Sequence, residues 1–324
     1  MLTIFTSPKP FGFNPHIDMI QRNAIESWTR LGDDVEVLLI GDEPGMAEIA
    51  HELGIRHLKD VRHNQRGTPY VSAVFSLARE NARHSLLCFA NADIIFLEDL
   101  LTGADRIRRQ FKDFLILGQR WNLNITQPID FGRDWLHELR RQVEGVGRRH
   151  GPLGSDYFVF ERDLLRHMPD FALGRPGWDN WTIYAGRAAS VPVVDATEAI
   201  TVIHQDHDYS HLPGGRPPYG GPESKENLAA AGGMEVIFMP TDATWKLQGD
   251  ALSRRSLFEM GVLRAIESAL IARFGAGRRA LLVRVLFHPI EGLRYYSGAI
   301  LRRIRRLISR GSPSGEHSGA GEEK

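Results

Sequence analysis

The chain has 324 residues, of which 42% are hydrophobic and 25% are charged, and its formal net charge is zero. This composition is typical of a folded globular protein, and the length allows about two domains, or one large domain with an appendage. The single cysteine, Cys88, excludes an intramolecular disulfide framework and a zinc finger built on cysteines, and it favours a reducing cytosol.

Two observations argue against a segment that directs export or enters a membrane. Residues 1–10 lack the basic and apolar stretches of a secretory signal, and they predict a first strand instead. Near the C-terminus, arginines interrupt each apolar run before it reaches the roughly 18–20 residues of a spanning helix. We therefore expect a cytoplasmic protein that does not span a bilayer.

Short apolar runs alternate with helical patterns at the start of the chain, which is the signature of strand–helix–strand units in a sheet. Thr68, with Pro69 after it, predicts the start of a helix, because threonine caps helices and proline is favoured at the first helical position. We expect an α/β domain over residues 1–250. The apolar runs predict strands at Leu2–Thr6, Val35–Ile40, Leu86–Ala90, 114–118, 157–160, 191–194 and 199–203.

The sequence Asn91-Ala92-Asp93 follows the most apolar of these predicted strands. Ligands of open α/β sheets bind beyond the carboxyl ends of strands, so a carboxylate at this place points into a cleft. Mg²⁺ and Mn²⁺ take oxygen ligands and leave positions open for substrate phosphates, which makes Asp93 a candidate metal ligand. The alternative is an ordinary turn at the strand end, where asparagine and aspartate are common.

The sequence combines four features: the order of strands and helices, Gly41-Asp42 after the second strand, Asn64 and Gly67 ahead of a helix, and the run LLCFANADIIF. In this combination the chain resembles a nucleotide-sugar-dependent glycosyltransferase of the GT-A fold. The resemblance covers about residues 2–210 and is closest to family-2-like bacterial members. It implies an open, twisted, mostly parallel sheet flanked by helices. It also implies a UDP- or GDP-sugar donor and a glycan or lipid-linked acceptor in cell-surface glycan assembly.

The resemblance also implies roles for single residues. By position in the family's Asp-x-Asp motif, Asp93 would bind the metal and Asn91 would contact the ribose. Thr6, at the end of the first strand, and Asp42, after the second, would hold the base. For Asp42 a simple turn residue is an equal alternative.

A second group combines Asp156 with the aromatic-rich segment around Trp178 and Asp179. Acceptor sugars stack on aromatic rings and hydrogen-bond to carboxylates, and Trp178 beside Asp179 offers both. An inverting transfer needs a base for the acceptor hydroxyl. The resemblance implies that Asp179 is this base and that Asp156 lies on the donor sugar or at the rim of the site. The alternative is that Trp178 belongs to the core and Asp179 caps a helix.

His204, His207 and His211 follow the last predicted strand. Neutral imidazole is a common ligand of transition metals. The resemblance implies that a late histidine completes the metal shell, with His204 as the first choice and His207 as the second. The three histidines could instead bind zinc in a metallohydrolase, although the chain has neither HExxH nor a cysteine partner. A solvated polar loop is the third alternative.

Residues 251–310 carry thirteen arginines against three glutamates, although the whole chain is neutral. Apolar residues recur there at helical spacing with arginines on the other face, which predicts a basic amphipathic helical appendage. Such helices could rest on an anionic membrane at the inner face of the plasma membrane. They could instead pack on the catalytic domain or in a dimer. Nucleic acid is not an expected partner because no recognised binding module is present, and residues 311–324 predict a disordered tail.

Together these patterns predict a glycosyltransferase that uses Mn²⁺ or Mg²⁺ to move a sugar from a nucleoside diphosphate to a hydroxyl acceptor. Two rival hypotheses stay open. One is a catalytically silent sugar- or nucleotide-binding module on the same fold, which Asn91 suggests. The other is the histidine-based metallohydrolase.

Overall fold

The computed structural model describes residues 2–207 and 220–289. The strands in these ranges are β1 (Leu2–Thr6), β2 (Val35–Ile40), β3 (Arg56–Leu58), β4 (Leu86–Ala90), β5 (Ile94–Phe96), β6 (Leu115–Leu117), β7 (Trp121–Leu123), β8 (Arg148–Arg149), β9 (Tyr157–Glu161), β10 (Val193–Glu198), β11 (Val202–Gln205), β12 (Trp245–Gln248) and β13 (Ala251–Arg254). The α-helices are α1 (Pro15–Thr29), α2 (Met46–Glu52), α3 (Val71–Asn81), α4 (Asp99–Arg108), α5 (Trp135–Val146), α6 (Trp178–Ala188), α7 (Pro222–Ala231), α8 (Leu257–Met260), α9 (Val262–Phe274) and α10 (Arg278–Phe287).

Nine of the described strands form one large sheet in the order β13-β12-β10-β6-β9-β4-β1-β2-β3. Strands β3, β2, β1 and β4 pair in parallel, and so do β6, β10 and β12. Strand β9 runs antiparallel between β4 and β6, and β13 runs antiparallel to β12 at the edge. This mostly parallel sheet with its helices confirms the expected α/β class.

Alternate residues of the central strands enter two hydrophobic cores, one on each face of the sheet. Ile4 and Cys88 belong to one core with residues of α1, α2, α4 and α5. Phe5 and Phe89 belong to the other core with residues of α3, α6 and α9. Because both faces are covered, these strands are apolar at nearly every position, which is the pattern that revealed them in the sequence.

Four further strands form a small sheet in the order β5-β11-β7-β8. Strand β5 starts at Ile94, directly after the turn at residues 91–93, and β11 pairs with it in antiparallel register. This register pairs His204 with Ile94, the residue that follows Asp93 in the chain. A histidine that is distant in sequence is therefore a neighbour of Asp93 across the sheet. The small sheet therefore brings the two halves of the predicted metal group together.

Two elements differ from the sequence-based expectation. The third helix begins at Val71 rather than near Thr68, whose backbone N–H donates to the side chain of Asn64 in a turn. Residues 251–254, expected at the start of the basic helical region, form β13 instead, because they complete a hairpin with β12. The helices of that region are α8, α9 and α10.

Several predictions concern parts of the chain outside the described ranges. They are the helical pattern beyond residue 289, the disordered tail at 311–324, and His211. Among the helices that the structure does describe, none has the length and apolar character needed to cross a membrane.

Candidate active site

A cavity of about 840 Å³ opens beyond the carboxyl ends of β1 and β4, two central strands of the large sheet. Its wall is formed by the loop after β1, the turn after β4, and residues of β7 and β11. Another cavity, of about 680 Å³, lies between residues 124–134 and α5 and contains none of the predicted site residues. The predicted residues that line the larger cavity are Thr6, Asn91, Asp93, Asp156, His204 and His207.

Asp93, His204 and His207 form a compact group in this cavity. One candidate ligand atom from each residue lies within 4.8 Å of the other two. Asp93 Oδ2 is 3.2 Å from His207 Nε2 and 3.8 Å from His204 Nε2. The carboxylate follows β4 of the large sheet and the imidazoles come from the end of β11 in the small sheet, so the two sheets meet at this group.

The donor set of this group fits a divalent metal ion. Asp93 Oδ1 is buried without a hydrogen-bond partner in the described ranges, as expected of an atom that a ligand completes. Burial raises the pKa of Asp93, but the neighbouring histidines outweigh burial and hold that pKa well below its usual range. Burial lowers the pKa of His204, which favours the neutral imidazole that metals bind.

Buried amides on the inner side of this group fix the turn that carries Asp93. Gln205 Nε2 donates to the carbonyl of Ile20 at 2.7 Å and to that of Asp93 at 3.3 Å. Asn23 Nδ2 donates in turn to Gln205 Oε1 at 3.0 Å. Since Ile20 and Asn23 belong to α1, this helix locks the turn to the core and leaves the Asp93 carboxylate aimed at the cavity.

A chain of polar contacts leads from Asn91 to Arg120. Asn91 Nδ2 donates to Asp156 Oδ1 at 2.9 Å, and Arg120 Nη1 lies 2.6 Å from Asp156 Oδ2. Both oxygens of Asp156 are therefore engaged. An aspartate in place of Asn91 would set two like charges in contact, so the amide suits this arrangement better than a carboxylate would.

Asp179 lies in the first turn of α6, near Asp156, but it is not among the side chains that line the cavity. Gly177 occupies the N-cap, and its N–H donates to Asp179 Oδ1 at 3.3 Å. The other oxygen lies against Gly154, where an added Cβ would be 2.3 Å away. Burial raises the pKa of Asp179 to about 6, and the charge of Asp156 contributes to the rise.

Trp178 and Asp42 do not occupy the positions that a direct contact with substrate requires. Trp178 is 5% exposed and packs edge-on against Phe89 with ring centroids 5.0 Å apart, so it is a core residue rather than a platform for a sugar. Asp42 is exposed on the turn after β2 and lies outside the lining of the cavity. The next residue, Glu43, lines the cavity instead.

Three cationic residues that sequence reasoning missed also line the cavity: Lys9, Arg120 and Arg175. Lys9 stands between two prolines directly after the first strand, and this position at a strand end was a usable signal. Arg175 pairs with Glu223, whose oxygen accepts from its Nε at 2.8 Å. Arg120 and Arg175 reach the cavity through tertiary packing, which spacing in the sequence does not reveal.

No protein-family model matches the chain, and no curated protein matches it. Solved structures do match. The chain is similar to glucosyl-3-phosphoglycerate synthase of Mycobacterium tuberculosis, with 16% identity and a TM-score of 0.42 over 71% of this chain and 78% of that one. The same synthase with Mg²⁺ and UDP matches at 16% identity and a TM-score of 0.41, over 71% of this chain and 76% of that one.

The chain is also similar to TarS 1–349 of S. aureus, with 11% identity and a TM-score of 0.38. That match covers 63% of this chain and 57% of the TarS chain. At such identities and TM-scores the similarity concerns the general fold.

Proposed function

We propose that the protein is a metal-dependent glycosyltransferase, which moves a sugar from a nucleoside diphosphate donor to a hydroxyl acceptor. The observation that carries the proposal is the group of Asp93, His204 and His207 in a cavity at the carboxyl ends of parallel strands. The cavity, at about 840 Å³, is of the size that small-molecule ligands occupy.

A divalent ion, when bound, would supply positive charge that stabilises the diphosphate as it leaves the sugar. Asp93, His204 and His207 would hold this ion. Because two of the three side chains are imidazoles, Mn²⁺ suits the group better than Mg²⁺, which prefers oxygen ligands. Asn91 and Asp156 would bind the ribose and the donor sugar from the same cavity, and Thr6 would contact the base.

Asp179 is the proposed base for the acceptor hydroxyl. Of the two neighbouring carboxyls, Asp156 accepts from Arg120 and Asn91 with both oxygens and is poorly placed to accept a proton. Asp179 has a pKa of about 6, raised by burial, which suits a base that works near neutral pH. It would act from beside Asp156, which lines the cavity, although Asp179 itself is not part of the lining.

The decisive experiment measures the binding of UDP and GDP, and the hydrolysis of their sugars, with and without Mn²⁺. We expect Mn²⁺ to strengthen nucleotide binding, and we expect Asp93→Asn to weaken binding in Mn²⁺ by about 10- to 100-fold, because it removes the carboxylate of the metal group. The matched control is Asp33→Asn, on the exposed turn before β2 and outside the cavity, which should bind like the wild type.

The same measurements separate the rival functions. Nucleotide binding without any turnover of the donor sugars would favour the silent binding module. Hydrolytic activity that depends on Zn²⁺ and survives Asp93→Asn would favour the metallohydrolase. If the wild-type protein binds neither nucleotide in the presence of Mn²⁺, the proposed function is wrong.

We also propose that the enzyme works on an anionic membrane at the cytoplasmic face of the plasma membrane, in cell-surface glycan assembly with a glycan or lipid-linked acceptor. Exposed large apolar side chains are concentrated on α8, α9 and α10, where they accompany exposed Arg273, Arg278 and Arg279. They are Leu257, Phe258, Val262, Leu263, Ile266, Phe274, Leu282 and Leu286.

Charge complementarity selects the anionic bilayer as the partner of this surface. The acidic residues of the described part of α8 to α10 are Glu259, which pairs with Lys246, and Glu267, which is buried. The opposite face of α9 packs on the core through Ala265 and Ile271. The helix can therefore stay docked on the catalytic domain while its outer face rests on lipid, where each exposed arginine contributes about 1 kcal/mol.

Vesicle sedimentation of the full chain tests this surface. The wild type should bind vesicles that contain 30% phosphatidylglycerol and not vesicles of phosphatidylcholine alone, a composition chosen to be roughly that of an anionic leaflet. Phe258→Asp with Leu263→Asp should lower the binding about tenfold, because it sets charges into the apolar surface. Val146→Asp, at an exposed apolar site on α5, is the control. Equal binding of all three proteins would contradict the proposal.

A further inference from the structure

The loop after β1 brings a lysine into the same cavity as the metal group. Ser7, Pro8, Lys9 and Pro10 all line the cavity with Asp93. The ammonium of Lys9 is near enough to Asp93 for the two charges to attract each other. Within residues 2–207 and 220–289, the hydrogen bonds of Lys9 are those of its backbone, and its ammonium has no hydrogen-bond or ion-pair partner.

The backbone of this loop is fixed, so the lysine is held in place. The N–H of Lys9 donates to Gln21 Oε1 at 2.7 Å, and Gln21 Nε2 donates back to the carbonyl of Lys9 at 3.2 Å. Gln21 is itself buried on α1, at 2% exposure. The prolines on either side, Pro8 and Pro10, restrict the backbone further. Such a loop has little freedom to move its lysine out of the cavity.

An ammonium in this position is costly without a ligand. Burial of an unpaired charge is unfavourable, and burial lowers the pKa of Lys9 while Asp93 opposes this shift. Next to it, Ser7 Oγ is also buried and lacks a hydrogen-bond partner among the described residues. An anionic ligand with several acceptor oxygens would satisfy both groups at once.

We propose that Lys9, assisted by Ser7, is the protein's own binding group for the phosphates of the donor. This inference rests on the proposed function and adds a residue to it. The ammonium of Lys9 binds a phosphate oxygen on the side of the cavity that the loop after β1 forms, and Ser7 Oγ donates a hydrogen bond to the same group. Asp93, His204 and His207 would hold a divalent ion, which would supply further positive charge to the diphosphate.

The position of Lys9 has a second consequence for the metal. With no nucleotide bound, a divalent ion held by Asp93 would share the cavity with the Lys9 ammonium, and the two like charges would disfavour each other. A bound diphosphate carries enough negative charge to accommodate both cations. Lys9 therefore weakens the binding of the metal alone and strengthens the binding of the metal together with the nucleotide.

Isothermal titration of Lys9→Met and the wild type tests both effects. The probes are Mn²⁺ alone, whichever of UDP and GDP the wild type binds in saturating Mn²⁺, and the corresponding nucleoside. Removing the charge should lower the affinity for the nucleotide about tenfold and leave the affinity for the nucleoside unchanged. It should raise the affinity for Mn²⁺ alone by about fivefold. Misfolding would weaken all of the ligands together, so the opposite signs identify the electrostatic role.

Two further variants complete the design. Lys9→Arg keeps the charge and should stay within about threefold of the wild type for every probe. Lys59→Met removes a lysine that is exposed after β3, outside the cavity, and controls for net charge. Should Lys9→Met bind the nucleotide as tightly as the wild type, or lose affinity for the nucleoside in the same proportion, the inference is overturned. If the wild type itself fails to bind a nucleoside diphosphate with Mn²⁺, the proposed function fails first.

Discussion

Asp179 is expected to affect the rate of transfer and the stability of the fold in opposite directions as the pH changes. A base acts in its deprotonated form, so transfer should increase as the pH rises through the pKa of about 6. The folded protein, however, binds this proton more tightly than the unfolded chain, in which an aspartate has a pKa of about 3.8. Stability contributed by this carboxyl is therefore fully present below pH 3.8 and is lost as the pH rises through 6.

We predict that Asp179→Asn lowers the rate of transfer by about 10²- to 10⁴-fold and yet makes the fold more stable at pH 7. The gain in the free energy of unfolding should be at most about 3 kcal/mol, the equivalent of the pKa difference, and it should disappear near pH 4. Urea unfolding at several pH values, together with rates of sugar transfer, measures both quantities.

Asp33→Asn, on an exposed turn, is the reference for the loss of one carboxyl. Its stability should differ little from the wild type at any pH. An Asp179→Asn protein that is inactive but also less stable than the wild type at pH 7 would show that the carboxylate supports the fold, and the role of base would lose its support.

Single residues were predictable from the sequence where strand ends position them. Asp93 stands in the turn after a buried strand and His204 lies near the end of another, so the sequence indicated where these two side chains lie, and both line the cavity. The place of Trp178 was not predictable in this way. An aromatic residue next to a carboxylate in the sequence occurs both in protein cores and in sugar-binding sites. The burial of Trp178 depends on the neighbouring Phe89, which belongs to another element.

At the scale of elements, helix α9 is joined to the core by a buried ionic group as well as by apolar contacts. Arg264 donates to both oxygens of Asp242 at 2.8 Å and to Glu267 at 3.0 Å. Both carboxylates are almost fully buried. Desolvation is costly for such a group, but the removal of one member costs more, because the remaining charges are left without compensation.

We predict that Arg264→Ala lowers the free energy of unfolding by about 3–5 kcal/mol. The control on the same helix is Arg273→Ala, whose side chain is exposed and whose loss should cost less than about 0.5 kcal/mol. Urea unfolding of the full chain measures the difference. A loss below about 1 kcal/mol for Arg264→Ala would mean that apolar contacts alone hold the helix.

Length helped the sequence to predict a strand, although β6 has only three residues and was predicted within the run 114–118. Strands β1, β2 and β4 are apolar runs of five or six residues, and their predicted bounds agree with the structure. Strands β3, β5 and β7 have three residues each and form through pairing with distant segments, so periodicity within the run carries no signal. Strand β13 was missed because its arginine suggested the start of a basic helix.

At the scale of the whole molecule, a ligand that binds only the folded chain adds its binding free energy to stability. We predict that the nucleotide, at about 100 times its dissociation constant in saturating Mn²⁺, stabilises the fold by about 2.7 kcal/mol beyond the effect of Mn²⁺ alone. This corresponds to a rise of roughly 5 °C in melting temperature. Mn²⁺ without nucleotide should have a smaller effect, and Asp93→Asn should reduce the difference between the two conditions, because it weakens the binding of the nucleotide. An equal shift in the variant would contradict the metal group.

The junction of the two sheets has a mechanical consequence. Asp93 and His207 are 114 residues apart in the chain, and their side chains meet at 3.2 Å. An ion bound by both residues would be a reversible cross-link that closes a long loop, as a disulfide does. The chain has only one cysteine and cannot form an intramolecular disulfide. Chelation would then remove one of the contacts that join the small sheet to the large one, and binding of the metal would strengthen that junction.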